Sequence, residues 1–251
     1  MPQFSDDLFL GAAQTYMGNN ANNNLNDPTA MDLGVGPLGR IYVWDTVPAT
    51  KATNNIATAQ TTSSTITLTA GTSTTSVINA AQQTVVQLDV PRAVSITSGT
   101  GTLTNRNVTI TGYDFYGQQM SEVIATGTVQ STTVTGQKAF FQILSATISG
   151  ALGATIAIGT ADIFGSPVKV STVDYVASIG WAGGVNDAGT FTAADTTTAT
   201  TTTDDVRGTY VPTSAANGSR RLVVGILLPA LAVGPNATRA GALGVNQNLA
   251  S

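Results

Sequence analysis

The chain has 251 residues, of which 42% are hydrophobic and only 10% charged, against about 25% charged in ordinary soluble domains. It contains no histidine and no cysteine, which removes Ser-His-Asp and Cys-His nucleophile systems, His-ligated zinc, disulfides and thiolate metal sites. A formal net charge of −4 leaves no basic footprint for nucleic acid. Thr, Val and Gly are abundant and Glu122 is the sole glutamate, a balance that removes helix formers and supplies strand and turn formers.

In chain order, residues 1–18 read as a short helix. Ser5 suits the cap, Asp6 and Asp7 suit the positive end of its dipole, and Phe9, Ala13 and Met17 fall at i, i+4 and i+8. An apolar stripe on so short a helix needs a surface to lie on, either its own domain or a neighbouring subunit. With two aspartates and no basic n-region, this stretch does not read as a signal peptide. Residues 18–28 (GNNANNNLNDP) are Asn-rich and turn-like, a connector suited to an arm that reaches another subunit. Gly34–Gly39 matches G-x-G-x-x-G, yet an Asn-rich loop precedes it, Pro37 removes a donor and the strand-like run Arg40–Val47 follows. A dinucleotide site needs a strand before and a helix after, so none is expected.

Residues 50–79 are rich in Thr, Ser and Ala, with a strand at Ile66–Thr69, and read as the outer edge of a sandwich. Gln82–Val90 leads as a further strand into the central stretch 91–167, where short runs of Val, Ile, Thr, Phe and Tyr are punctuated by Gly, Asn and Asp. That is the pattern of consecutive antiparallel strands. Val108–Thr111, a turn over Tyr113–Gly117 and Met120–Ala125 make a hairpin, with strands following at Lys138–Leu144 and Thr155–Gly159. Val168–Ile179 alternates and predicts a strand, while Gly180–Gly189 reads as a glycine-rich loop holding Trp181. That tryptophan is a core anchor at a sheet edge or part of an exposed contact patch. Residues 193–203 read as an exposed loop. Asn217-Gly218 between Val206–Pro212 and Arg220–Leu228 predicts a hairpin. Leu222–Val233, the most apolar run, is too short to span a membrane and contains Pro229, so it reads as a buried central strand.

The expected fold is therefore all-β, an antiparallel β-sandwich of jelly-roll or Ig-like type with a short N-terminal arm or helix. The expected layout is an arm and first strand over 1–50 and a β-sandwich module over 51–168. A second β region over 169–251 would complete the sandwich or form a second small domain. Thirteen of the fourteen acidic residues are Asp, five of them beside Asn or Thr, a setting in which Asp serves turn hydrogen bonding. No Asp-x-Asp-x-Asp spacing marks a calcium loop. Lys138 and Lys169 read as ordinary strand lysines rather than partners of an isopeptide bond. No cofactor, metal or enzymatic activity is expected.

The succession PRAVSIT, NVTITGYDFYGQQMSEVIATG, GQKAF, SATI and IAIGTADIFGSP resembles a module of tailed-bacteriophage structural proteins. GPLGRIYVWDTVP near the start and DDVRGTYVPTSAANGSRRLVVGILL near the end are similar to segments of capsid-associated phage proteins. Thr160 and Ala161 depart from that pattern where a glycine is expected. The resemblance implies a virion structural β-protein on the capsid surface, of the cement or decoration type, with the major capsid protein and further copies of itself, as a homotrimer, for partners. Its contacts are expected on Phe4, Phe9, Tyr16 and Met17 of the arm and around Trp181. The alternative is a tail- or fibre-associated β-domain that binds a host-surface glycan.

Overall fold

The computed structural model describes residues 8–10, 39–173, 176–181, 185–197 and 203–228. Sixteen strands, all paired antiparallel, and no α-helix occur among the described residues. The first six are β1 (Leu8–Leu10), β2 (Gly39–Thr46), β3 (Ala57–Gln60), β4 (Thr65–Ile66), β5 (Thr74–Ile78) and β6 (Thr84–Ser98). Next come β7 (Asn107–Tyr113), β8 (Gln119–Ala125), β9 (Thr133–Thr135), β10 (Phe140–Ile148) and β11 (Ile156–Gly165). The last are β12 (Val176–Trp181), β13 (Val185–Asn186), β14 (Thr190–Thr192), β15 (Thr209–Val211) and β16 (Leu222–Leu228).

The long strand β6 organises the sandwich. Its first half lies between β5 and β10, with Val86 opposite both Ser76 and Ile143. Its second half lies between β11 and β9, with Ile96 opposite Ile158 and Val134. One strand thus serves both layers. The change of partners falls at Asp89–Arg92, where Pro91 cannot donate a ladder hydrogen bond and is tolerated because the pairing is interrupted there. The first layer continues through β7 and β8, and the second through β15 and β14. Val86, Ile110 and Ile143 from one layer meet Val94, Ile96 and Ile158 from the other in a continuous apolar core. Each such side chain contributes about 1.5–3 kcal/mol by leaving water.

A five-stranded sheet, β1-β2-β16-β12-β13, joins the two ends of the described chain. β16 runs against β2 from Leu222↔Thr46 to Leu228↔Arg40. Alternation on β16 puts Leu222, Val224 and Ile226 on its buried face with Trp44, where they meet Val90 at the bend of β6, Phe164 of β11 and Tyr210 of β15. This second core seats the small sheet on the end of the large one.

Four expectations are corrected. Leu8–Leu10 is not helical; it pairs along the edge of β2, whose backbone groups need a partner more than a lone apolar stripe needs a surface. The rest of the predicted helix lies outside the described residues. Residues 168–173 are not a strand: Val168 and Val170 are fully buried, but this stretch joins neither sheet, and Val170 N–H donates to Arg207 O. Alternation there reflected burial rather than sheet pairing. Asn217-Gly218 does not close a hairpin, because β15 belongs to the large sheet and β16 to the small one. Asn217 Oδ1 instead accepts from the Ser219 and Arg220 N–H groups, and Gly218, at φ 77°, donates to Pro48 O as the chain crosses between sheets. Finally, Trp181 ends β12 rather than sitting in a loop, opposite Leu222 and Val185.

Candidate interface and the buried charge network

A groove of about 400 Å³ opens where the small sheet meets the large one. Tyr42–Thr46 of β2 form one wall, Phe115 and Phe141 the other, and Val90, Pro91, Gly165 and Pro167 line it between them. The aromatic wall stands on the β7–β8 turn. Asp114 Oδ1 accepts from the Tyr116 and Gln118 N–H groups, each at 2.8 Å, and Gly117 takes φ 77°, which a side chain would resist. Asp114 Oδ2 lies 2.6 Å from Arg207 Nη1 in a buried ion pair, and the guanidinium sits 4.7 Å from the Tyr116 ring centroid. Tyr116 O–H donates to Pro167 O at 2.6 Å. Phe115 then packs edge-on against both Tyr116 and Phe141, ring centroids 5.3 Å apart in each case, and remains 41% exposed. The result is an exposed aromatic ridge on a rigid footing.

The carboxylates beside the groove are already engaged. Asp45 pairs with Arg221 through two hydrogen bonds, and Asp89 accepts from Arg92 and, at 2.7 Å, from Ala49 N–H. Burial pushes the Tyr42 phenol up to about 12, so it stays protonated at neutral pH. The groove therefore presents rings and apolar surface in preference to charge.

Behind it lie two more buried carboxylates. Glu122 Oε1 accepts from Gln137 N–H at 2.5 Å and Lys138 N–H at 3.4 Å, while its Oε2, with no hydrogen bond, packs against Gly136. Burial drives the Glu122 carboxyl up to about 7, opposed by those two N–H groups and by the Lys138 charge. Asp205 accepts from Ala139 N–H at 3.1 Å and Arg207 N–H at 2.9 Å, and burial lifts it to about 6. Two acids, Glu122 on β8 and Asp205 in the segment ahead of β15, thus grip the tripeptide Gln137–Ala139 ahead of β10. Desolvation lowers the pKa of Lys138, whose side chain is buried among them. The cavity lined by Asp205, Arg207 and Asp114 is about 10 Å³, room for about one water and for no substrate. Among the described residues, no group of three acidic or other metal-ligating side chains converges.

Of the residues expected at an interface, Phe4, Tyr16 and Met17 lie outside the described residues. Phe9 stands opposite Arg40 at the edge of the small sheet, and Trp181 lies beyond β2 and β16 in the same sheet, so the two do not share one site. Phe115, Tyr116 and Phe141 were missed. The available signal was two adjacent aromatics in a tight turn, Asp114-Phe115-Tyr116-Gly117, where turn chemistry asks for neither. No family model, curated protein or solved structure matches this chain.

Proposed function

We propose that the protein is a non-enzymatic structural component of a tailed-phage virion, a cement or decoration protein that binds the capsid shell and stabilises it, self-associating as a homotrimer. The observation that carries this reading is the pairing of an exposed aromatic groove with buried carboxylates that are spent on backbone and arginine contacts. Among the described residues the groove offers a surface to cover, and the acid-lined cavity behind it, about 10 Å³, is too small to admit a substrate. The similarity of its β-runs to phage structural modules supplies the virion context. Contacts of about 1,600 Å² each suffice for specific binding, and repetition over a shell adds avidity. Co-sedimentation of purified protein with emptied phage shells tests the proposal, together with its copy number in purified virions by mass spectrometry. Hundreds of copies and saturable shell binding are expected; a handful of copies and no shell binding would end it.

A second reading, glycan binding by a tail or fibre domain, is favoured by one feature: Tyr42 and Phe115 line the groove close to Asp45 and Asp89. Because both carboxylates already hold arginines, fewer acceptors remain for sugar hydroxyls than such a site needs. Binding to a glycan array with no shell affinity would reverse the order of the two readings.

A further inference from the structure

The pairing of β1 with β2 has an unusual connection. Leu8, Phe9 and Leu10 lie opposite Ile41, Arg40 and Gly39, so the two strands form an antiparallel pair whose ends, Leu10 and Gly39, are direct neighbours. Adjacent antiparallel strands are ordinarily joined by 2–5 residues. Here residues 11–38 intervene, a span whose sequence is rich in Asn and Gly. A span of that length has a contour of up to about 3.3–3.6 Å per residue, enough to reach another molecule. Nothing in the local geometry of the pair requires that both strands come from one chain.

We propose that β1 is an exchangeable strand: where several copies stand side by side, residues 8–10 of one copy pair with Gly39–Ile41 of the next, in the register seen here. The occupant of the β2 edge is thus a second copy of this chain. This rests on the reading of the protein as a many-copy structural component, since exchange needs neighbours held close. The ladder bonds are the same within a chain and between chains, so exchange gives up none of them, and the effective concentration of a tethered neighbour reaches the millimolar range. An edge strand also needs a cover, and among the described residues β1 covers only the first three of β2. Just beyond them Val43 and Val47 are 50% and 48% exposed, apolar surface that a neighbour delivering its arm would bury.

The absence of cysteine makes the test clean. Two single variants, F9C and R40C, are mixed at equal concentration, allowed to associate at high protein concentration and oxidised. Exchange predicts a disulfide-linked dimer holding one chain of each kind, at least tenfold above either homodimer by mass spectrometry. The double variant F9C/R40C should give a ladder of covalent multimers under the same conditions. No mixed dimer above the homodimer level, with the double variant closed only on itself at every concentration, would overturn the proposal. L8C with I41C provides a second pair should the first disturb folding, judged by thermal unfolding under reducing conditions. Shell co-sedimentation of the unmodified protein is measured in parallel. Retained shell binding without exchange sinks exchange alone, and exchange without shell binding sinks the capsid reading alone.

Discussion

Arg92 Nη2 lies 2.7 Å from Asp162 Oδ1, with Arg92 fully buried at the point where β6 changes layers. The same guanidinium donates from Nε to Ala161 O at 2.8 Å and from Nη1 to Ala49 O at 3.0 Å and to Asp89, and it stands 5.2 Å from the centroid of Phe164. One side chain thereby ties the segment after β2, the bend of β6 and the end of β11. A lysine could not reproduce this, because the planar fork serves several acceptors at once.

Removing that fork strips the buried Asp162 of its main counter-charge and the more exposed Asp89 of its ion pair. Arg92→Met is expected to cost about 3–5 kcal/mol, read as a lowered urea midpoint, with Arg92→Lys recovering only part. Adding Asp162→Asn to Arg92→Met should return some of the loss, since it removes the stranded charge. An Arg92→Met protein as stable as the parent would show that the guanidinium is not the joint.

Glu122 makes a pH-dependent contribution of definite sign. Its folded pKa is raised from about 4.5 to about 7, chiefly by burial. Between those values the folded chain holds a proton that the unfolded chain releases, so stability falls as pH rises through the window. The cost is complete above the folded pKa and absent below the unfolded one. The shift corresponds to about 3 kcal/mol. Asp205, lifted to about 6 from 3.8 by burial, adds a fall of the same sign at lower pH. Glu122→Gln keeps an acceptor for Gln137 N–H and removes the titration. Its advantage over the parent should grow from pH 5 to pH 8, followed by thermal unfolding across that range; parallel pH profiles would refute the assignment.

Two glycines are required by close approach, a third by conformation alone. A Cβ on Gly159 would stand 1.9 Å from Ala52 O, and one on Gly112 would stand 2.0 Å from Gln142 O, both immovable backbone atoms. Gly117, at φ 77°, has open space around it. Alanine at Gly159 or Gly112 should therefore cost at least about 3 kcal/mol, and at Gly117 about 1 kcal/mol. Equal effects at all three, by chemical denaturation, would contradict the packing described.

The aromatic ridge separates binding from stability. Phe115→Asp alters a side chain with open access and should change stability by about 1 kcal/mol or less. It should reduce co-sedimentation with shells at least tenfold. Deleting residues 1–18, which carry Phe4, Phe9, Tyr16 and Met17, should lower the complement on particles as well. Particles that keep the full complement after both changes would place the shell contact elsewhere.

The amino-acid sequence alone determined the fold class, because Thr, Val, Ile and Gly at period-2 spacing with few helix formers leave little but antiparallel strands. It also placed the β7–β8 hairpin and the buried run of β16, since turn residues and local alternation carry that information. Tertiary structure decided what those local signals were for. Val168 and Val170 alternate as a strand would but are buried outside both sheets, and Asn217-Gly218 turns the chain between sheets because β15 and β16 find better partners in β11 and β2. The groove, the grip of Glu122 and Asp205 on one tripeptide, and the seat of Arg92 join residues tens of positions apart. No local pattern encodes such distances; only the packing of one sheet against the other brings those side chains together.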